Sequence, residues 1–430
     1  MNDAATVEGR RPCVLFIQDG ARLHYAIPVA LKRAGLLGAL YAGWYNHNTP
    51  LARAMTRSAG LLLPALARRM RDRHCAELAG TMVADSKFIE PSAYALIRLF
   101  GWGCPLLGPL WWLQRRKILG LARRMPPPHG GLVVFGFSHC LSAGLVRHFR
   151  ADGAALVIDQ PIATHREAFD QQRKNQLKWP EWSDTAPSDP DEPNRRAEEE
   201  RFRMVDLITC ASEYVKESLL AVGVSAEKVR VLPYPVDCSD FEFTDRSGRS
   251  GPVRVGFVGQ VGLRKGAPWF LEAAKLCDPA LVKFTMVGAV ALTDFGRRQL
   301  EEGVELVGSV PRSQILDWLK RFDIFFFPST CEGSAGAVME AMATGLPIVA
   351  SPNSGSVVRD GIDGYIVDYD KPEVAAQRLM ELAQDKELRL RMGRSAHERA
   401  MGFDIDFYSR EIAGVISSVV ARAGRRQGGA

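Results

Sequence analysis

The sequence predicts an α/β protein built from two doubly wound parallel-sheet halves. Two observations carry that expectation. Short apolar runs alternate with helix-like stretches along most of the 430 residues, the pattern of a parallel sheet covered on both faces. The cycle also breaks once, at Thr244–Pro252 (TDRSGRSGP), a short, polar, glycine-rich stretch that reads as an inter-domain linker, and then restarts.

The elements follow in order. Val14–Ile17 is an apolar run ending in Asp19-Gly20, and a helix-like stretch leads from it to Ala34-Gly35. Leu132–Gly136 is a buried-strand pattern, a helix follows from about Leu141 to Arg150, and Leu156–Ile158 repeats the unit. Leu207–Thr209 and Val229–Leu232 are two further strands around a helix over Glu213–Val222. Between Pro180 and Pro193 the composition turns to Pro, Asp, Ser and Glu, an exposed loop. After the break come Val253–Val258, Phe284–Val287, Val304–Leu306, Ile324–Phe327 and Pro347–Ala350, each followed by a helical or glycine-rich stretch. These patterns give a first domain over 12–243, a second over 251–401 and a last helix over 405–421.

Composition removes several function classes. Apolar residues at 47% and charged residues at 24% exclude disordered and fibrous chains. A net charge of +6 is too small for this size to argue for a nucleic-acid partner. The eight cysteines are widely spaced with no C-x-x-C, which excludes a zinc ribbon and fits reduced, cytosolic thiols. Met1–Pro12 is polar and the run after it is too short for an export signal, so a cytoplasmic location is expected. Leu99–Gln114 lacks charge but is too short, and too broken by glycine and proline, to span a bilayer.

The basic charge is concentrated in Leu51–Met125, which holds thirteen Lys and Arg against four acids. Leu61–Leu63, Trp102, Trp111 and Trp112 are interleaved with it. That composition suits a surface resting on anionic lipid. It equally suits a basic helical insertion that packs its apolar face on the domain.

The chemistry points to Pro328–Pro347 (PSTCEGSAGAVMEAMATGLP). A strand ends at Pro328-Ser329, a small-residue loop Gly333–Gly336 follows, and a helix begins near Val338. Such a loop lets backbone amides approach a polar or anionic ligand. Glu332 falls at the strand's carboxyl end and Glu340 in the first helical turn, seven residues between them, where open α/β sheets bind ligands.

This pattern resembles the E-x7-E signature of the family-four retaining glycosyltransferases, which have the GT-B fold of two Rossmann-like domains facing an inter-domain cleft. GFVGQVGLRKG (Gly256–Gly266) resembles the family's phosphate segment, ELVGSV (Glu305–Val310) the stretch bordering the nucleobase, and VVRDGIDGYIV (Val357–Val367) its downstream "DG…G" segment. VLPYPVD (Val231–Asp237) stands where the family closes its first domain. The match is dense from about Arg201 to Phe407, whereas the first half matches only in its strand–helix rhythm.

The resemblance implies a sugar transferred from a nucleoside diphosphate to a hydroxyl of a carbohydrate or lipid-linked acceptor, with retention and without a metal or other cofactor. The departing phosphate would itself guide the acceptor on the same face. Glu340 would accept hydrogen bonds from the nucleotide ribose and Glu332 would hold a donor-sugar hydroxyl. The amides of Ser334, Ala335 and Gly336 would face sugar and diphosphate, with Gly259 and Val310 bordering the nucleotide. Lys265 would neutralise the diphosphate. Gln260 stands where the family usually has an arginine, so Arg264 is the natural substitute.

In the first half, Gly20 follows the first strand at the place of the family's glycine-rich loop. His139 follows another strand end and is a candidate contact for acceptor or donor sugar. Asp159 and Gln160 occupy the strand end where many members carry a histidine, which leaves the acceptor-side chemistry open. Three other readings stand beside this one. A dehydrogenase would start from Gly256, Gly259 and Gly262, but their spacing is G-x-x-G-x-x-G. A glycoside hydrolase would pair Glu332 with Glu340 yet leaves Lys265 unused. A catalytically silent nucleotide-sugar binder draws support from Gln260 and Asp159.

Overall fold

The computed structural model describes residues 11–43, 45–47, 73–86, 89, 96, 104–125, 130–183, 192–236 and 241–427. About half of the basic Leu51–Met125 stretch therefore lies outside the described residues. The chain divides into two compact units, one of residues 1–159, 200–209 and 408–430, the other of 160–199 and 210–407.

The first sheet has seven strands: β1 (Cys13–Gln18), β2 (Leu37–Ala42), β3 (Met82–Asp85), β4 (Leu132–Phe137), β5 (Ala155–Gln160), β6 (Leu207–Cys210) and β7 (Val229–Val231), in the order β3-β2-β1-β4-β5-β6-β7. β1 pairs in parallel with both β2 and β4. Its apolar run Val14–Ile17 is buried, and Phe16 meets Phe135 edge to face at 5.0 Å. Sequence reasoning missed β2, although Leu37–Ala42 is an apolar run, and β3. The Met82–Asp85 edge strand is exposed at Met82 and only partly buried beyond it, so it carries no strong pattern.

The second unit holds a six-stranded sheet of order β10-β9-β8-β11-β12-β13, with the strands β8 (Val253–Val258), β9 (Val282–Val287), β10 (Glu305–Gly308), β11 (Ile324–Phe327), β12 (Ile348–Ala350) and β13 (Gly364–Ile366). All five of its strand pairings are parallel. The strands β8, β9, β11 and β12 are mostly apolar and buried because helices cover both faces. Two stacked pairs, Phe257 on Phe327 and Phe270 on Phe326, meet edge to face through Phe257 and Phe270 at the centre of this unit.

Helix starts follow local capping chemistry. Ser142, Thr164, Ser212, Thr293 and Asp385 each accept a hydrogen bond from an amide in the first turn of the helix they precede. Thr244–Pro252, expected as a linker between domains, lies inside the second unit. Arg246 is buried and donates to the carbonyls of Phe322, Thr344, Leu319 and Thr244, and Arg249 donates to Phe322 O and Asp323. The long last helix, Ile405–Gln427, groups with the first unit from Tyr408 onward. Among the described residues no helix is long and apolar enough to cross a membrane.

Candidate active site

In the second unit, β8 ends at Val258 and a short 3-10 turn, Leu263–Lys265, precedes the helix Ala267–Lys275. Gly266 makes this possible. It sits at φ +76°, and a Cβ there would lie 1.9 Å from Pro328 O, so the segment closes directly on the end of β11. Lys265 is thereby placed with Nζ 2.6 Å from Glu332 Oε1 and 4.9 Å from the Phe327 ring centre. Burial lowers its pKa, and the Glu332 carboxylate works against that.

Glu332 is buried and also receives a hydrogen bond from Arg264 Nη1. Arg264 is tied to the same loop, donating to Cys331 O at 2.9 Å, while its own carbonyl accepts from Thr330 and Ser329. The neighbouring Gly333 is a packing requirement, since a Cβ would sit 1.7 Å from Pro161 O. Two cations thus converge on one carboxylate at the carboxyl end of β11, leaving a net positive charge where a polyphosphate could settle.

The helix after the small-residue loop runs Gly336–Ala343. It starts two residues earlier than expected, so Glu340 lies beyond the first turn, outside the reach of the helix N-terminal dipole. Glu340 is buried and pairs at 2.5 Å with Arg312 Nη2, an exposed side chain just after β10. One expected amide is not available: Ala335 N–H donates to Ser354 O at 3.1 Å. Among the described residues no carbonyl takes the amides of Ser334 or Gly336. Val310 is half-buried against the core, and Gln260 is exposed.

A cavity of about 410 Å³ adjoins this cluster. Gln260, Arg264, Lys265 and Thr330 line it on one side, and Gln172 and Gln176 of the helix His165–Lys178 on the other. Sequence reasoning missed that helix wall. Its buried side chains are Asn175 and Gln176, both polar, so no apolar period marks it. Asn175 is held by Thr330 and Trp269, which fixes the helix over the turn Leu263–Lys265.

The first unit presents its candidates separately. Gly20 has φ +54°, with the Arg73 guanidinium near where its Cβ would stand. His139 Nε2 lies 3.0 Å from Asp19 Oδ1. Asp159 is buried and accepts from Thr209 Oγ1 at 2.7 Å, so its carboxylate is engaged inside the unit rather than offered to a ligand. Asp19 and Arg312 escaped the sequence reading because their partners are 120 and 28 residues away.

Residues 252–385 match the family described as glycosyl transferases group 1. Over 198 residues the chain is 29% identical to the amylovoran biosynthesis glycosyltransferase AmsK of Erwinia amylovora, covering 43% of this chain and 49% of that protein. It is 28% identical over 271 residues to a D-inositol 3-phosphate glycosyltransferase of Xylanimonas cellulosilytica, covering 56% and 63%. The chain therefore spans about half to three-fifths of the curated relatives it matches. The fold is similar to that of Anabaena HepE in complex with UDP, with a TM-score of 0.62 and 18% identity over 94% of this chain and 100% of the other. The likeness to the group 1 glycosyltransferases is thus carried by residues 252–385, and the two parallel sheets are those of a GT-B fold.

Proposed function

We propose that the protein transfers a sugar from a nucleoside-diphosphate sugar, a UDP-hexose, to a hydroxyl of a carbohydrate or lipid-linked acceptor during cytoplasmic polysaccharide assembly. Anomeric retention and independence from metal belong to the same reading. The observation that carries it is the convergence of Lys265, Arg264 and Glu332 beside a cavity within the matched region. Transfer requires negative charge to be stabilised on the departing diphosphate, and preorganised cations away from bulk water do so efficiently. The relatives' names, one for amylovoran biosynthesis, and the UDP bound by HepE support the choice of donor and pathway class.

A thermal-shift series with UDP, GDP and ADP tests the donor site. A nucleotide at a hundred times its dissociation constant should stabilise the protein by about 2.7 kcal/mol. UDP is expected to give the shift, and EDTA to leave both it and turnover unchanged. Glu340→Ala should weaken UDP binding by about 1.5–3 kcal/mol, the range for hydrogen bonds to a charged group. Undiminished affinity in that variant would refute the ribose role. Retention is read from the anomer first released when water replaces the acceptor.

The membrane partner is proposed from the helix Leu107–Arg124. It buries Leu107, Ile118 and Leu121 but exposes Trp112 (55%), Leu113 (42%) and Trp111 (39%). Arg115, Arg116, Lys117, Arg123 and Arg124 belong to the same helix, which has no acidic residue. The protein should bind phosphatidylserine-containing vesicles with about 1 kcal/mol from each basic residue near the surface. Trp111→Ser with Trp112→Ser should reduce co-flotation. Equal partitioning of the parent and the double variant would count against this face.

A further inference from the structure

The pairing of the edge strand β10 with β9 slips between Leu306 and Gly308. Gly308 takes φ +80° there, while its carbonyl still accepts from the Gly288 N–H at 2.9 Å. An irregularity of this kind bends a strand and re-aims the residues that follow. Val310 then packs against the core, and Pro311, at φ −58°, opens the 3-10 turn Arg312–Gln314. The Gln314 N–H closes that turn on Pro311 O at 2.9 Å. Slip, proline and turn together set Arg312 beside the helix Gly336–Ala343, with Nη2 2.5 Å from Glu340 Oε1.

The two partners differ sharply in their exposure. Glu340 is 7% exposed, whereas the Arg312 side chain is 68% exposed. A carboxylate buried that far has lost its hydration, and its charged form is costly unless other groups replace the water. Arg312 supplies a cation that does not deprotonate, and supplies it from the solvent side. The pair also fixes the carboxylate plane, because Met339 and Ala341 on either side are buried and hold the helix in place.

An ionised carboxylate only accepts hydrogen bonds and offers about four lone-pair sites. One guanidinium N–H on Oε1 therefore leaves capacity for hydroxyl donors. A neutral carboxyl would itself donate and would be the poorer acceptor.

We propose that Arg312 is a positioning residue for nucleotide recognition. It holds Glu340 ionised and in one orientation, so that the carboxylate accepts from the ribose 2′- and 3′-hydroxyls and the site selects ribonucleoside over deoxyribonucleoside diphosphates. This rests on the transferase reading above and on the ribose role of Glu340. In this role the guanidinium acts through Glu340 rather than on the nucleotide. It strengthens ground state and transition state alike, so its loss appears in KM for the donor rather than in kcat.

Calorimetry with UDP and with 2′,3′-dideoxy-UDP tests this on the parent, Arg312→Met and Arg312→Lys. The parent should bind UDP about tenfold to a hundredfold more tightly than the dideoxy analogue, the size of hydrogen bonds to a charged group. Arg312→Met, which keeps the stem without the charge, should bind UDP about tenfold less well and the analogue as the parent does. Arg312→Lys should keep part of the preference, since an ammonium restores the charge but not the fork. With UDP-glucose as donor and water as acceptor, Arg312→Met should raise KM about tenfold with little change in kcat. An undiminished preference in Arg312→Met would overturn the role. So would an equal loss for both ligands, which a loosened turn would give, or tighter UDP binding, which would make Arg312 a plug on the site. A parent that binds both ligands equally would remove the ribose role of Glu340, and this role with it, while the transferase reading stands. A parent that neither binds UDP nor releases it from UDP-glucose would overturn the transferase reading itself.

Discussion

Lys265→Ala is expected to lower UDP release from the donor by about a hundredfold to a thousandfold, the usual cost of removing one preorganised group from a site of charge development. Three features of its placement set that size. The side chain is confined, since the left-handed Gly266 turn and the carbonyl of Pro328 leave the backbone no alternative path. Its ammonium is largely shielded and lies over the Phe327 ring, so its field is only weakly screened. Glu332 holds it charged against the burial that lowers its pKa. A diphosphate arriving beside this pair meets a cation that needs no reorganisation. Arg264 is about half exposed and more screened, so Arg264→Ala should cost less. Lys265→Arg keeps the charge but replaces a compact ammonium by a planar fork where Glu332 and Phe327 leave little room, and should recover only part of the rate. Kinetics on the three variants decide the matter. Full turnover in Lys265→Ala would remove this residue from the chemistry.

What was legible in the sequence follows physical rules. The second unit declared itself because its buried strands are short, mostly apolar runs, Val253–Val258 (broken only by Arg254) and Ile324–Phe327 among them, bounded by glycine and proline. The places of Lys265 and Glu332 were legible too, because both sit in tight loops that follow strand ends. The rest depended on partners distant in sequence. The helix His165–Lys178 buries amides, not a hydrophobic stripe, and so carries no period. The pairing of Asp19 with His139 arises only when parallel β1 and β4 bring their ends together. Ala335 looked like a ligand-facing amide until Ser354 supplied it with a carbonyl from a loop nineteen residues on. Arg246 lies in the stretch that reads as a linker, and arginine in a polar glycine-rich stretch is ordinarily solvated.

Arg246 is the residue for which that reading missed the most energy. Its Nε donates to Phe322 O at 2.7 Å, Nη1 to Thr344 O at 2.7 Å and Thr244 O at 2.9 Å, and Nη2 to Leu319 O at 3.2 Å. Leu319, Phe322 and Thr344 stand at the carboxyl ends of the helices Ile315–Arg321 and Gly336–Ala343, where the last carbonyls lack partners within the helix. One buried guanidinium thus satisfies two helix termini and opposes their negative dipole ends. Burial draws its pKa down to about 10, which is still far enough above neutral for the charge to remain. Arg246→Ala removes the donors and leaves these carbonyls in a site water reaches poorly, so the second unit should lose about 3–5 kcal/mol, as when one partner of a buried charged network is deleted. Arg246→Lys should recover less than half of that, because one ammonium cannot reach carbonyls on two helices with the geometry of a fork. Urea unfolding of the variants, followed by a probe in the second unit such as Trp269, measures the loss. A change below about 1 kcal/mol would mean that water caps these helix ends as well as the guanidinium does. The expected loss carries a second consequence. Glu340 belongs to the helix that ends beside Thr344, so Arg246→Ala should also weaken UDP binding, whereas loosening an ordinary solvated linker would leave it unchanged.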